Sequence, residues 1–253
     1  MARMLAFVYG LAAYAVFLVT FLYAIGFVGN LIVPKAIDTG AESPLATALA
    51  VDALLLMLFA VQHSVMARQG FKRWWTRIVS RSIERSTFVL VSSLVLLLMY
   101  WQWRPLPATV WSIENPAAAG LVWAFFWIGW LTVLLSTYMI NHFDLFGLRQ
   151  VYLNLKNEPC RPLDFSTRGL YRFVRHPIML GFIVAFWAAP HMTLGHMVFA
   201  IATTGYILVA LQLEERDLVA FYGRAYEAYK QQVSMLLPIS KAEDSAAKGR
   251  PAK

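Results

Sequence analysis

Long apolar runs broken by short polar stretches set the pattern of this chain. Leu5 to Val33 is apolar almost throughout, and a short loop with Pro34, Asp38, Gly40 and Pro44 follows. A second run covers Leu45 to about Met66, a third roughly Thr87 to Trp103, and a fourth about Ala118 to Ile140. Several approach the roughly 20 residues that a helix needs to cross a hydrocarbon core. After a polar region at 141–176, a short run from Ile178 to Ala189 turns at Pro190-His191-Met192-Thr193 and returns from Gly195 to Leu213. That last pair reads as a hairpin whose first arm is too short to cross upright. The pattern predicts an all-α fold, a polytopic transmembrane helical bundle of five to six membrane helices. It occupies a single domain, 1–239, and 240–253 reads as a disordered tail.

Charge orients the bundle. Arg68, Lys72, Arg73, Arg77, Arg81 and Arg85 crowd one connection, and Arg149, Lys156, Arg161, Arg168, Arg172 and Arg175 the region 141–176. The loops at 34–44 and 104–117 carry one basic residue each, Lys35 and Arg104. The positive-inside rule then places both basic regions and both termini in the cytoplasm, as in a multi-pass protein of a bacterial inner membrane. The first run is too long for a signal peptide and reads as a retained span. A net charge of +8 belongs to these loops, where the partner is the lipid bilayer, with no nucleic acid and no obligate protein partner implied. The lone Cys160 excludes an internal disulfide. No Gly-x-Gly-x-x-Gly, Walker, His-Glu-x-x-His or cysteine-cluster pattern points to a Rossmann core, a nucleotidase or a metal site.

The densest chemistry lies between Arg168 and Pro238. Pro177 disfavours helix at His176 and suits the first position of the helix that follows. His176 then sits near an N-cap beside free N–H groups, and with Arg172 and Arg175 it makes an anion site. The same arginines would also serve as flanking charges. Leu211, Glu214, Leu218, Tyr222, Tyr226 and Tyr229 recur at spacings of three and four, along one helical face. Glu214 thus interrupts an apolar-aromatic stripe, where it needs either an arginine or a cationic ligand as partner. Two further polar stretches meet the same membrane face: Gln62-His63-Ser64, and Asn141 to Gln150 with His142, Asp144 and Arg149. Asp52 has no evident role, and His191 and His196 read as interfacial.

Arg175-His176-Pro177 with Gly181, then Glu214-Glu215, then Gly223, Tyr226 and Tyr229, resembles the isoprenylcysteine carboxyl methyltransferase and phospholipid methyltransferase superfamily of integral-membrane enzymes. Met179 departs from its usual tyrosine and Ser234 from its usual proline. The resemblance implies S-adenosyl-L-methionine as cofactor, held at the cytoplasmic face by Leu170, Tyr171, Arg175, His176, Pro177, Gly181, Glu214 and Tyr226. The Asn141–Gln150 and Gln62–Ser64 stretches extend the similarity to the bacterial methanethiol S-methyltransferases, which implies methylation of a small volatile thiol. Asn141, Arg149 and Gln150 would then meet the substrate. A thiol near its ordinary pKa of about 8.5 is mostly protonated at neutral pH, and the candidate bases are His142, Asp144, His63 and Glu215. Ala220 and Phe221 are apolar where a polar acceptor would want hydrogen bonds. Other acceptors, a prenylcysteine carboxylate or a phospholipid amine, remain open at this point. So does a haem-binding or transport protein with His63 and His142 as axial ligands.

Overall fold

The computed structural model describes residues 1–238; the expected tail, 240–253, lies outside the described residues. Helix α1 spans Ala2–Gly29 and stops where Asn30 turns left-handed (φ 52°), a common helix ending. Helix α2 covers Leu45–Ala67, and the short α3, Gln69–Trp75, follows. Helix α4, Arg81–Gln102, begins at Ser80, whose hydroxyl accepts from the Ser82 N–H. Its start falls well before Thr87, because the basic residues there stay helical. After strand β1, Thr109–Ser112, helix α5 covers Pro116–Ile140, with Asn115 as N-cap and Pro116 in the first turn. Two short helices come next, α6 at His142–Leu145 and α7 at Leu148–Lys156. A 3-10 turn, Gly169–Arg172, leads to α8, Pro177–Trp187. Strand β2, His191–Thr193, then enters α9, Leu194–Tyr222, and Gly223 breaks the helix before α10, Arg224–Gln232.

Among the described residues five helices, α1, α2, α4, α5 and α9, are long and apolar enough to cross a membrane. The protein is a multi-pass, all-α membrane protein. Helix α8 has 11 residues, about 16 Å of rise, roughly half of a hydrocarbon core. Its column is completed at one end by the 3-10 turn and at the other by an antiparallel β1–β2 ribbon, which pairs Thr109 with Thr193 and Ser112 with His191. The sequence pattern showed only loops there. The ribbon is tied down by the Trp111 indole, which donates to the Ala189 carbonyl at 3.0 Å.

Packing between apolar helices in lipid gains little from hydrophobicity and much from close fit. Helices α5 and α8 meet at Gly129 and Gly181, where an added Cβ on either would lie 2.7 Å from the other's carbonyl oxygen. An aromatic core of Phe27, Tyr100, Trp103, Phe126, Trp130 and Phe199 fills the half of the bundle nearer the ribbon. His196 is not interfacial: it is 1 % exposed, and its Nε2 donates to the Phe186 carbonyl at 2.9 Å. The carbonyls at the end of α8 lack helical partners, and this imidazole supplies one. Asp52 is fully buried and accepts from the Arg104 N–H at 2.8 Å, so it tethers the loop after α4.

Candidate functional site

At the end of the bundle carrying the basic connections, the chain folds back on itself. The segment after α10 pairs with residues 174–176: the N–H groups of Arg175 and His176 donate to the carbonyls of Ser234 and Met235, at 2.9 and 3.2 Å. Pro177 opens α8, and His176 is its N-cap residue with φ −128° and ψ 64°. The Ser234 carbonyl accepts here, as a proline's carbonyl equally would.

This return brings four ionisable side chains together. Glu215 of α9 is 5 % exposed and takes the Arg175 Nε at 2.6 Å, His176 Nε2 at 3.1 Å and Lys230 Nζ at 3.1 Å. The Arg175 Nη1 also donates to the carbonyls of Lys230 and Val233. A buried carboxylate needs such partners, and removing one from a buried pair typically costs about 3–5 kcal/mol. Arg175 and His176 are therefore largely spent on Glu215. As candidate base, Glu215 is misplaced: its oxygens are occupied by Arg175, His176 and Lys230 and it does not border the cavity described next. The adjacent carboxylates face different ways because consecutive helical residues differ by about 100°.

Glu214 points into a cavity of about 390 Å³, bordered also by Tyr171, Arg175, His176 and Asp144. Its carboxylate is half exposed and lies 3.9 Å from His176 Nδ1. Counted along α9, Glu214 is 20 residues beyond Leu194, about 30 Å, one hydrocarbon thickness. One wall is aromatic: Phe165 packs on Tyr222, Tyr226 and Tyr229 with centroids 5.1, 5.8 and 5.4 Å away. The Tyr229 hydroxyl donates to the Tyr171 carbonyl at 2.5 Å. Burial pushes the Tyr229 phenol up to about 12 and raises those of Tyr171 and Tyr226 as well, so these rings stay neutral. The stripe read as one helix is carried by two, α9 and α10, joined at Gly223.

Of the residues predicted from sequence, Tyr171, Arg175, His176, Glu214, Tyr226 and Asp144 thus share one cavity. Asp144 is held by Arg149 Nη1 at 2.7 Å and Gln150 Nε2 at 3.2 Å, and its N–H is capped by Asn141 Oδ1 at 3.0 Å. Asn141, Arg149 and Gln150 accordingly fix Asp144 and do not line the cavity. Leu170 is anchored through its N–H to Met139 Sδ at 3.3 Å, Pro177 is buried as the helix start, and Gly181 serves the α5–α8 crossing.

The two histidines proposed as bases or axial ligands sit elsewhere. His142 Nδ1 is 2.8 Å from Thr137 Oγ1, and Nε2 is 2.8 Å from the Tyr14 hydroxyl. Thr137 gives its own proton to the Leu134 carbonyl, so Nδ1 donates and Nε2 accepts. Both nitrogens are used, which leaves no lone pair for a metal, and burial lowers the imidazole's pKa below its ordinary value. His63 reaches Ser92 Oγ at 3.3 Å between the rings of Phe59 and Phe88. Among the described residues no group of three or more His, Cys, Asp or Glu side chains could hold a metal ion.

Sequence reasoning missed the segment Pro162 to Ser166, which also borders the cavity, because it carries no periodic pattern. It also read Arg85 only as a topological charge. Arg85 Nε donates to the Leu145 carbonyl at 2.7 Å, which ties α4 to the short helix that carries Asp144. A hint was available in Gly147, whose positive φ of 88° lets the loop press against Ser86.

Comparison with known proteins adds the chain's kinship. Residues 53–237 match the family model described as NnrU protein. A methanethiol S-methyltransferase of Mycobacterium tuberculosis is 61 % identical over 238 residues, covering 94 % of this chain and 98 % of that protein. A second, from Crocosphaera subtropica, is 50 % identical over 239 residues, 94 % of each chain. A Nurim homolog of Drosophila pseudoobscura pseudoobscura is 30 % identical over 173 residues, 66 % of this chain and 68 % of that one. No solved structure matches the chain.

Proposed function

The chain belongs to the NnrU protein family, and from its 61 % and 50 % identity to methanethiol S-methyltransferases together with the cavity we propose that it methylates methanethiol to dimethyl sulfide with S-adenosylmethionine as donor. The observation that carries the reading is the convergence of Glu214, Asp144, the His176 helix start and four tyrosines on one recess at the basic end of the bundle. The cavity volume falls in the range of small-molecule sites. Its residues suit the donor. The start of α8 borders the cavity at His176, Ile178 and Met179, no side chain caps it, and a helix start of this kind suits a carboxylate. Glu214 and the neutral rings of Tyr226 and Tyr229 offer an anion and π faces to a cationic ammonium and sulfonium. The bound donor supplies an electrophilic methyl group.

The chain's own residues then have separable tasks. Glu215 holds Arg175 and His176, and so fixes where α8 begins. Arg149, Gln150 and Asn141 aim Asp144 at the cavity. Asp144 accepts the thiol proton as the acceptor sulfur forms its bond to the methyl carbon and the donor's sulfur–methyl bond breaks. Alignment and exclusion of water supply the remaining acceleration, with no covalent enzyme intermediate. The basic-residue asymmetry supports a cytoplasmic site in a bacterial inner membrane.

The test uses purified protein in lipid nanodiscs. Calorimetry should show saturable S-adenosylmethionine binding, and headspace gas chromatography should show dimethyl sulfide from methanethiol. Binding without sulfide formation, together with labelling of a phospholipid amine or prenylcysteine, would redirect the reading to another acceptor.

A further inference from the structure

We propose that Tyr14, His142 and Arg85 are positioning residues for Asp144: they hold, from outside the cavity, the one helical turn that carries it. This rests on the methyltransferase reading above and assigns work to three side chains that reading leaves idle. None of the three borders the cavity. Helix α5 ends where Asn141 takes an extended conformation (φ 172°, ψ 95°), and α6 restarts at once as four residues, His142–Leu145. A single turn fixes several dihedrals for very few hydrogen bonds and does not keep its direction unaided. Where Asp144 sits is therefore decided by what grips the turn at its two ends.

The first residue is gripped by α1 and α5. His142 is buried; it gives its Nδ1 proton to Thr137 Oγ1 and takes the Tyr14 hydroxyl proton at Nε2, both at 2.8 Å. Its ring also stacks on Tyr138, with centroids 4.3 Å apart and the planes at 7°. The last residue is gripped by α4, whose Arg85 Nε donates to the Leu145 carbonyl at 2.7 Å, one of the acceptors that a helix end leaves over. Directly after it, Phe146 stacks on Phe17 of α1 with centroids 3.9 Å apart. Asp144 lies between these two clamps. Arg149 and Gln150 orient its carboxylate from α7, whereas the clamps fix the backbone from which that carboxylate reaches the cavity. A shift of about 1 Å in a reacting group can cost on the order of 100-fold in rate, so contacts this remote from the thiol bear on turnover.

The experiment measures kcat, the KM for methanethiol and the Kd of S-adenosylmethionine in nanodiscs for Tyr14→Phe, Asp144→Asn and the double variant. Tyr14→Phe deletes one hydroxyl and leaves the ring in place, so kcat should fall about 10-fold or more while KM and Kd stay within about twofold. The double variant should be no slower than Asp144→Asn alone, because misplacing a side chain that no longer takes the proton costs nothing further. Arg85→Met, alone and with Asp144→Asn, should behave in the same way and carries the test if Tyr14→Phe fails to fold. Arg85→Lys keeps a donor for the Leu145 carbonyl and should recover part of the loss. Losses that multiply in the double variants would make these contacts structural only and overturn the proposal. An unchanged kcat in the folded single variants overturns it too, as does wild-type turnover in Asp144→Asn. Wild-type protein that binds no S-adenosylmethionine defeats the methyltransferase reading itself, before any variant is compared.

Discussion

Replacing each of two neighbouring carboxylates should give opposite phenotypes. Glu215→Ala removes the common partner of Arg175, His176 and Lys230 and leaves a buried guanidinium without its anion. Breaking such a pair costs about 3–5 kcal/mol, which for a chain of this size lowers Tm by on the order of 10 °C. Glu214→Ala removes a half-exposed side chain that lies 3.9 Å from His176 Nδ1, an interaction worth at most about 1 kcal/mol. Its Tm should stay within a few degrees of wild type while S-adenosylmethionine binding is lost. Thermal unfolding in detergent can be followed by intrinsic tryptophan fluorescence, since the lone cysteine, Cys160, is exposed and would not report on unfolding. Calorimetry supplies the binding arm. The reasoning fails if Glu214→Ala destabilises as much as Glu215→Ala, or if Glu215→Ala keeps its Tm.

Asp144→Asn should lower kcat by about 10²–10⁴, the usual contribution of a positioned base, with cofactor Kd unchanged; stopped assays at saturating thiol check this. Gly181→Val should destabilise by at least about 1–3 kcal/mol, because even a Cβ there meets the Gly129 carbonyl at 2.7 Å, and a lowered Tm would show it. Burial lowers the His142 pKa, so the native state binds fewer protons than the unfolded one below pH about 6.5. Its contribution to stability is therefore complete above that pH and is lost as pH falls through it. The Tm of His142→Gln should fall less steeply than wild type between pH 7 and 5, and parallel curves would contradict the assignment.

The membrane bundle could be read in the sequence because lipid demands long apolar helices, and that demand is local. The helix start at Pro177 was legible for the same reason, since proline acts on its own neighbour. Which of Glu214 and Glu215 faces the cavity was harder. Adjacent residues on a helix differ in direction, but nothing local tells which direction is occupied by Arg175. The stripe of Leu211, Glu214, Leu218 and Tyr222 did point the right way, and the break at Gly223 did not spoil it. His142 and Gly181 carried chemistry-bearing identities in a motif, yet their neighbours Tyr14, Thr137 and Gly129 are remote in sequence. Partners at such distances leave no periodic trace, and neither did the β1–β2 ribbon, with strands of four and three residues.

The backbone pairing of 174–176 with Ser234 and Met235 has a consequence for how the protein is made. The recess cannot be completed while the ribosome still holds the residues past α10, since the acceptors for the Arg175 and His176 amides have not yet emerged. All five long helices can enter the bilayer before that moment. A closed recess is thus a property of the finished polypeptide alone, and a truncated chain ending at Gln232 would be inserted with its recess unfinished.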